Sequence, residues 1–268
     1  MTEEYGVEGD TAIVTGSSRG IGRAIAERFA KQGTNVVCCS RTYADVESTA
    51  EAIATKSPDA EVVPVECDVR DWDAVEALVE TTVEAFGDVD VLVNNAGTNR
   101  IAPFEKLDEK TWRTVVETNL TGTFVCTRVV GERMRTGDGG TIVNISGAAS
   151  RWGLPKWAHY AASKAAVESL TRTVAYEWAS DDVRVNAVAP GPILTERMSE
   201  YLGADPVEID ERRVDRHLGK PDEIARVVQF LASPAARFIQ GETLFAKGPP
   251  RIPELDLHDE VGYTVRHK

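Results

Sequence analysis

A glycine-rich turn, Gly16-Ser17-Ser18-Arg19-Gly20-Ile21-Gly22, follows directly on the apolar run Thr11–Thr15 and opens into a helical pattern. A buried strand feeding a helix through such a turn commits a chain to βαβ winding, because parallel strands need crossovers that pack on a face of the sheet. The same alternation then continues to about residue 247. Strands are expected at Thr11–Thr15, Asn35–Ser40, Glu61–Cys67, Val89–Asn94, Gly140–Ser146, Val183–Ala189 and Thr243–Ala246. These runs are rich in Val and Ile and bounded by Gly, Asp or Asn, as strands buried on both faces should be. Helical periodicity covers Gly22–Gln32, Tyr43–Ala54, Asp71–Phe86, Glu109–Arg135, Trp157–Ala179 and Asp222–Ala232. The sequence predicts an α/β fold, a doubly wound parallel sheet of the Rossmann type with about seven strands and helices on both faces. No linker or repeat divides the chain, so one domain over residues 1–268 is expected.

The spacing G-x-x-x-G-x-G permits a tight turn and lets the backbone approach a pyrophosphate at the positive end of a helix. Gly16, Ser18, Arg19, Gly20, Ile21 and Gly22 are therefore candidate cofactor-binding residues. The second strand ends at Ser40-Arg41, with no carboxylate at either position to hold a ribose 2′-hydroxyl. Arg41, with Arg19 opposite, suits a 2′-phosphate instead, so NADP(H) is expected and NAD(H) is the alternative. The plain reading of both arginines is solvated surface charge. Asp68, beside Val69 at the end of the third strand, is placed either to accept from an adenine amino group or to cap the following helix. Asn94 reads as a strand-pinning side chain, while Asn95, Ala96 and Gly97 are small enough to line a cofactor.

Tyr160 and Lys164 lie at i and i+4 of a helical run, so phenol and ammonium share one face. A cation beside the phenol favours phenolate and brings its pKa down from about 10. A tyrosine tuned in this way can exchange a proton with an alcohol oxygen. Ser146 closes the fifth strand at its carboxyl end, where α/β sheets bind ligands, and its hydroxyl can orient the same oxygen.

Taken together, TGSSRGIG (15–22), NNAG (94–97), Ser146, YAASK (160–164) and PGPILT (190–195) resemble the short-chain dehydrogenase/reductase family over residues 10–247. The resemblance implies hydride transfer between a nicotinamide and a carbonyl or secondary alcohol, with Tyr160 as acid or base and Lys164 and Ser146 assisting. It also implies a fourth catalytic residue, Asn119 in ETNLTG, holding a water that links the lysine to solvent. Pro190, Gly191, Ile193 and Thr195 match the family's nicotinamide-contacting segment, and Tyr160 and Lys164 would also touch the cofactor. The general resemblance is to 3-oxoacyl-thioester reductases; sugar, steroid and simple alcohol dehydrogenases share the motifs. An enoyl reductase or an epimerase fits less well, because the Tyr-x-x-x-Lys spacing is intact and the chain is short. A cofactor-sensing protein without catalysis would be expected to have lost the tyrosine or the lysine. Family members assemble as homotetramers or homodimers through helices corresponding to Glu109–Arg135 and Trp157–Ala179. The chain departs from the family's Asp-Gly-Gly after the last strand, reading Ala246-Lys247-Gly248-Pro249-Pro250.

Composition narrows the partners. A net charge of −13 repels phosphate backbones and anionic lipid, so neither nucleic acid nor membrane is expected as a partner. No apolar run nears the roughly 18 residues of a membrane span, and the acidic start MTEEYGVEGD is not a secretory signal. Cys38, Cys39, Cys67 and Cys126 lack C-x-x-C spacing and read as reduced, buried thiols of a cytoplasmic protein. His159, His217, His258 and His267 are too scattered for zinc, so no metal is expected, and His159 reads as a packed or exposed side chain. Residues 191–220 read as a lid-like excursion, and 248–268 as an ordered arm or a frayed end.

Overall fold

Strand β1 (Thr11–Thr15) is buried along its whole length, with Ala12 and Val14 in one apolar layer and Ile13 in the other. That alternation is possible only in a strand covered on both faces. The computed structural model describes residues 5–7, 9–202 and 209–249. Six further strands complete the sheet: β2 (Asn35–Ser40), β3 (Val62–Glu66), β4 (Val91–Asn94), β5 (Gly140–Ile145), β6 (Val183–Pro190) and β7 (Thr243–Ala246). All seven are parallel, in the order β3-β2-β1-β4-β5-β6-β7. Successive strands step outward in opposite directions on either side of the β1–β4 boundary. This switch opens a crevice at the strands' carboxyl ends, where open α/β sheets bind ligands.

Helices α1 (Gly20–Ala30) and α2 (Tyr43–Lys56) cover one face, joined by α9 (Pro221–Leu231); Phe29, Ile53 and Leu231 are fully buried there. Helices α3 (Trp72–Phe86), α5 (Gly122–Thr136) and α7 (Ala158–Glu177) cover the other, around Leu78, Met134 and Trp178. Burying each such large side chain contributes about 1.5–3 kcal/mol relative to leaving it exposed. All four cysteines are free and buried. Among the described residues no helix is long and apolar enough to cross a membrane.

Three expectations are corrected. The helix expected over Glu109–Arg135 runs unbroken but not uniform: α4 (Glu109–Val116) passes through a π-helical turn (Glu117–Thr121) into α5. Periodicity does not register one extra residue per turn, because the apolar stripe resumes on the far side. The helix after β3 is capped by Asp71, whose carboxylate accepts from the Asp73 and Ala74 amides, so Asp68 is not its cap. Within the 191–220 excursion lies a helix that the sequence did not announce, α8 (Glu196–Leu202), while the remaining short helix, α6 (Ala149–Trp152), follows β5. The two ends of the excursion meet: Leu194 donates to the Gly219 carbonyl at 2.8 Å and Gly219 to that of Pro192 at 2.9 Å. Its residues 203–208 lie outside the described residues, as does the expected arm or frayed end from residue 250 onward.

Candidate active site

The glycine turn is fastened by the protein's own hydrogen bonds. Gly16 and Gly20 both have positive φ, +63° and +58°, a backbone region open mainly to glycine. A Cβ on Gly22 would stand 2.4 Å from both Asn95 Nδ2 and the Gly16 carbonyl oxygen. Asn95 Nδ2 donates to the Thr15 and Gly16 carbonyls at 2.9 and 3.0 Å, and Thr15 Oγ1 accepts from the Asn95 and Ala96 amides at 3.0 Å each. The end of β4 is thereby tied to the turn after β1. Ser17 makes the corresponding tie to β2: its amide donates to the Cys39 carbonyl, and its hydroxyl accepts from the Cys39 amide. Thr49 of α2 donates to the Ser18 carbonyl at 2.9 Å. Ile21 packs against the core.

The donor set suits a dinucleotide phosphate. The first turn of α1 carries no acidic residue and no side-chain cap, so its amides remain available to an anion. Arg19 and Arg41 are both exposed, and neither forms an ion pair among the described residues. Asp68 is engaged by Arg70 at 2.6 Å, which holds its carboxyl below the usual range, with Arg41 adding to the effect. Val69 is buried against Gly122 of α5. On the opposite side, Pro190 ends β6, the Gly191 amide donates to the Ala246 carbonyl at 2.9 Å, and Ile193 bridges to Gly219. A Cβ on Gly20 would meet Thr195 Cγ2 at 3.3 Å, so the 190–195 segment reaches back to the glycine turn across the crevice.

Under this crevice runs a buried polar ladder. Asn94 Nδ2 donates to Thr127 Oγ1 and Asn144 Oδ1, and Asn144 Nδ2 donates to Thr171 Oγ1, all at 2.9 Å. Asn94 thus ties α5, β4 and β5 together, the structural role its sequence position suggested, and Asn144 carries the ladder on to α7. Asn119 sits fully buried in the π-helical turn. Its Oδ1 accepts from the Thr98 amide at 2.7 Å, while its Nδ2 donates to the Thr98 carbonyl and to Ser163 Oγ at 3.0 and 3.1 Å.

Lys164 Nζ donates to the Ile145 carbonyl at 2.7 Å and lies 5.8 Å from the centroid of the Tyr160 ring. Burial pushes its pKa from 10.5 down to about 8. A Cβ on Gly97 would stand 3.4 Å from Asn119 Oδ1 and 3.6 Å from Lys164 Nζ, so asparagine, lysine and the NNAG loop converge on one point. A Cβ on Gly147 would meet the Tyr160 hydroxyl at 2.7 Å, which sets that hydroxyl against the residue that follows Ser146 after β5. The geometry thus gathers Asn119, Ser146, Tyr160 and Lys164 at the mouth of the crevice. His159, next in sequence to Tyr160, is fully buried and packed; burial lowers its pKa, with the Arg100 backbone partly opposing.

One residue at this site escaped the sequence reading. Ser146 Oγ donates to Glu168 Oε1 at 2.7 Å and lies 3.2 Å from the Lys164 carbonyl, and Ser150 Oγ donates to the same Glu168 oxygen. The signal was present, since Tyr160, Lys164 and Glu168 recur at i, i+4 and i+8 on one helix face.

Comparison with known proteins places this geometry in context. A family model described as enoyl-(acyl carrier protein) reductase matches residues 16–248. A 3-oxoacyl-(acyl-carrier-protein) reductase from Synechocystis is 41% identical over 240 residues, covering 88% of this chain and 95% of that protein. A short-chain type dehydrogenase/reductase from Mycobacterium marinum superposes with a TM-score of 0.82 at 28% identity, over 92% of this chain and 97% of the other. L-Sorbose reductase from Gluconobacter frateurii, solved with NADPH and L-sorbose, gives a TM-score of 0.82 at 30% identity, over 91% and 97%.

Proposed function

Because this chain belongs to the short-chain dehydrogenase/reductase family, oxidoreductases acting on CH–OH and C=O groups, we propose that it is an NADP(H)-dependent carbonyl reductase whose substrate is a 3-oxoacyl thioester. The observation that carries the reading is the convergence of Ser146, Tyr160, Lys164 and Asn119 at the carboxyl ends of β4 and β5, beside a glycine turn with free helix amides. The substrate class rests on the 3-oxoacyl-(acyl-carrier-protein) reductase relative. The NADPH-bound reductase neighbour and the unpaired Arg19 and Arg41 support NADP(H) over NAD(H). The intact Tyr160-x-x-x-Lys164 spacing favours carbonyl over enoyl reduction.

When bound, the nicotinamide supplies or accepts the hydride at the substrate carbon. The chain's own residues handle the proton and the geometry. Tyr160 protonates the carbonyl oxygen in reduction and accepts the hydroxyl proton in oxidation. Lys164, charged and held by the Ile145 carbonyl, favours the phenolate form of Tyr160 and would hold the ribose hydroxyls of the cofactor. Ser146 hydrogen-bonds the substrate oxygen, while Asn119 fixes the Thr98 backbone beside Lys164 and supports the proton path to solvent. The remaining binding roles fall to Gly16, Ser18 to Gly22, Arg41, Asp68, Val69, Asn95 to Gly97, Pro190, Gly191, Ile193 and Thr195. We also propose a cytoplasmic homotetramer or homodimer, supported by strongly exposed aromatic side chains at Tyr176 on α7 and Phe238.

Replacing Tyr160 by Phe is the decisive test. Turnover of a 3-oxoacyl thioester with NADPH should fall about 10²- to 10⁴-fold, the usual contribution of a positioned acid–base group. NADPH affinity should change far less. Undiminished turnover would remove Tyr160 from the chemistry.

A further inference from the structure

We infer that Glu168 is a positioning residue for the reaction, acting through Ser146; this deepens the reading proposed above and rests on it. Ser146 has one hydroxyl proton, and in this structure that proton has a carboxylate to go to, at 2.7 Å. The alternative acceptor within reach, the Lys164 carbonyl, is farther at 3.2 Å. A carboxylate is the stronger acceptor as well as the nearer one. Before substrate enters, therefore, Ser146 turns lone pairs, not its proton, toward the rest of the site. The bond holds Ser146 in one rotamer, so its oxygen is already placed when a substrate carbonyl takes over the proton, and without Glu168 that placement is lost.

That exchange would be costly if it left a partly buried carboxylate without a donor. Ser150 removes the difficulty. Its hydroxyl donates to the same Oε1, so Glu168 keeps a partner when Ser146 turns to the substrate. The two serines come from different elements, Ser146 from the end of β5 and Ser150 from α6. Glu168 stands one helical turn beyond Lys164, and Lys164 one turn beyond Tyr160. A single face of α7 thus carries the proton donor, the cation that tunes it, and the acceptor that sets the serine's starting position. Glu168 also fastens α6, which follows Gly147 and the Tyr160 hydroxyl, to the helix bearing Tyr160.

A double-mutant cycle separates this role from plain structural support. Glu168→Ala should lower kcat for carbonyl reduction about tenfold to a hundredfold, the worth of a hydrogen bond to a charged group, with NADPH affinity nearly unchanged. Glu168→Gln, which keeps a carbonyl acceptor for both serines, should recover most of that loss. In a Ser146→Ala background, Glu168→Ala should change kcat by less than about twofold, because the residue through which it acts is gone. Should Glu168→Ala fail to fold, Glu168→Met, closer in volume, enters the same cycle. An equal loss in both backgrounds would overturn the inference and make Glu168 a structural residue. So would wild-type kcat in Glu168→Ala while Ser146→Ala is slow. Wild-type turnover in Ser146→Ala itself would overturn the assigned role of Ser146 along with the inference.

Discussion

Lys164 pays for its position. With its ammonium buried and its pKa brought down from 10.5 to about 8, the folded chain gives up a proton that the unfolded chain still holds between those two values. The destabilisation is fully present below pH 8 and relieved as pH rises toward 10.5. Cofactor-free protein unfolded by urea at pH 7.5 and pH 9.5 should therefore gain stability at the higher pH relative to Lys164→Met. On the proposed mechanism catalysis would run the other way, since loss of the cation above about pH 8 would remove the support of the Tyr160 phenolate. At the proposed cofactor end, Arg41→Asp would exchange a phosphate partner for a ribose partner. NADPH affinity should drop about tenfold to a hundredfold by fluorescence titration, and NADH should become the preferred ligand. An unchanged preference would assign the phosphate to another residue. Ser146, Tyr160 and Lys164 were legible in the sequence because helix spacing and a strand end fix them locally. Glu168 was not, because its meaning depends on two serines 18 and 22 positions away.

Among the elements, α5 packs against Trp178, the residue that caps the end of α7, so closely that a small residue is required at the contact. A Cβ on Gly131 would stand 2.3 and 2.6 Å from ring carbons of Trp178, which is itself buried. Gly131→Ala should lower unfolding stability by about 1–3 kcal/mol in a denaturant titration, the common cost of overpacking, despite alanine's better helix propensity. A more stable variant would mean that the ring moves aside freely. The π-helical turn at Glu117–Thr121 belongs to this scale too. It places Asn119 inward, where both of its amide atoms meet the Thr98 backbone. Such turns cluster at functional sites because one extra residue re-aims a side chain without ending the helix. Sequence periodicity predicted one helix here and so missed the feature that aims Asn119.

At the scale of the whole molecule, the sheet does the gathering. Strand order brings the turns after β1, β4, β5 and β6 to one edge, so residues from 16 to 195 share a crevice. Tyr176 and Phe238 are 88% and 105% exposed, and Tyr176 lies on α7, the helix through which assembly is proposed. Sedimentation velocity should give a mass of two or four times 29.2 kDa. A lone 29.2 kDa species would refute assembly through these surfaces.

The sequence by itself determined β1, β2 and β7 to the residue, the face shared by Tyr160 and Lys164, and the glycine turn. Each is set by sterics and periodicity within a few residues. Tertiary structure alone decided that Asp71 and not Asp68 caps α3, that a π turn aims Asn119, and that Glu168 takes the proton of Ser146. Those outcomes are competitions between partners distant in the chain, and a hydrogen bond goes to whichever acceptor the packed elements bring within about 3 Å.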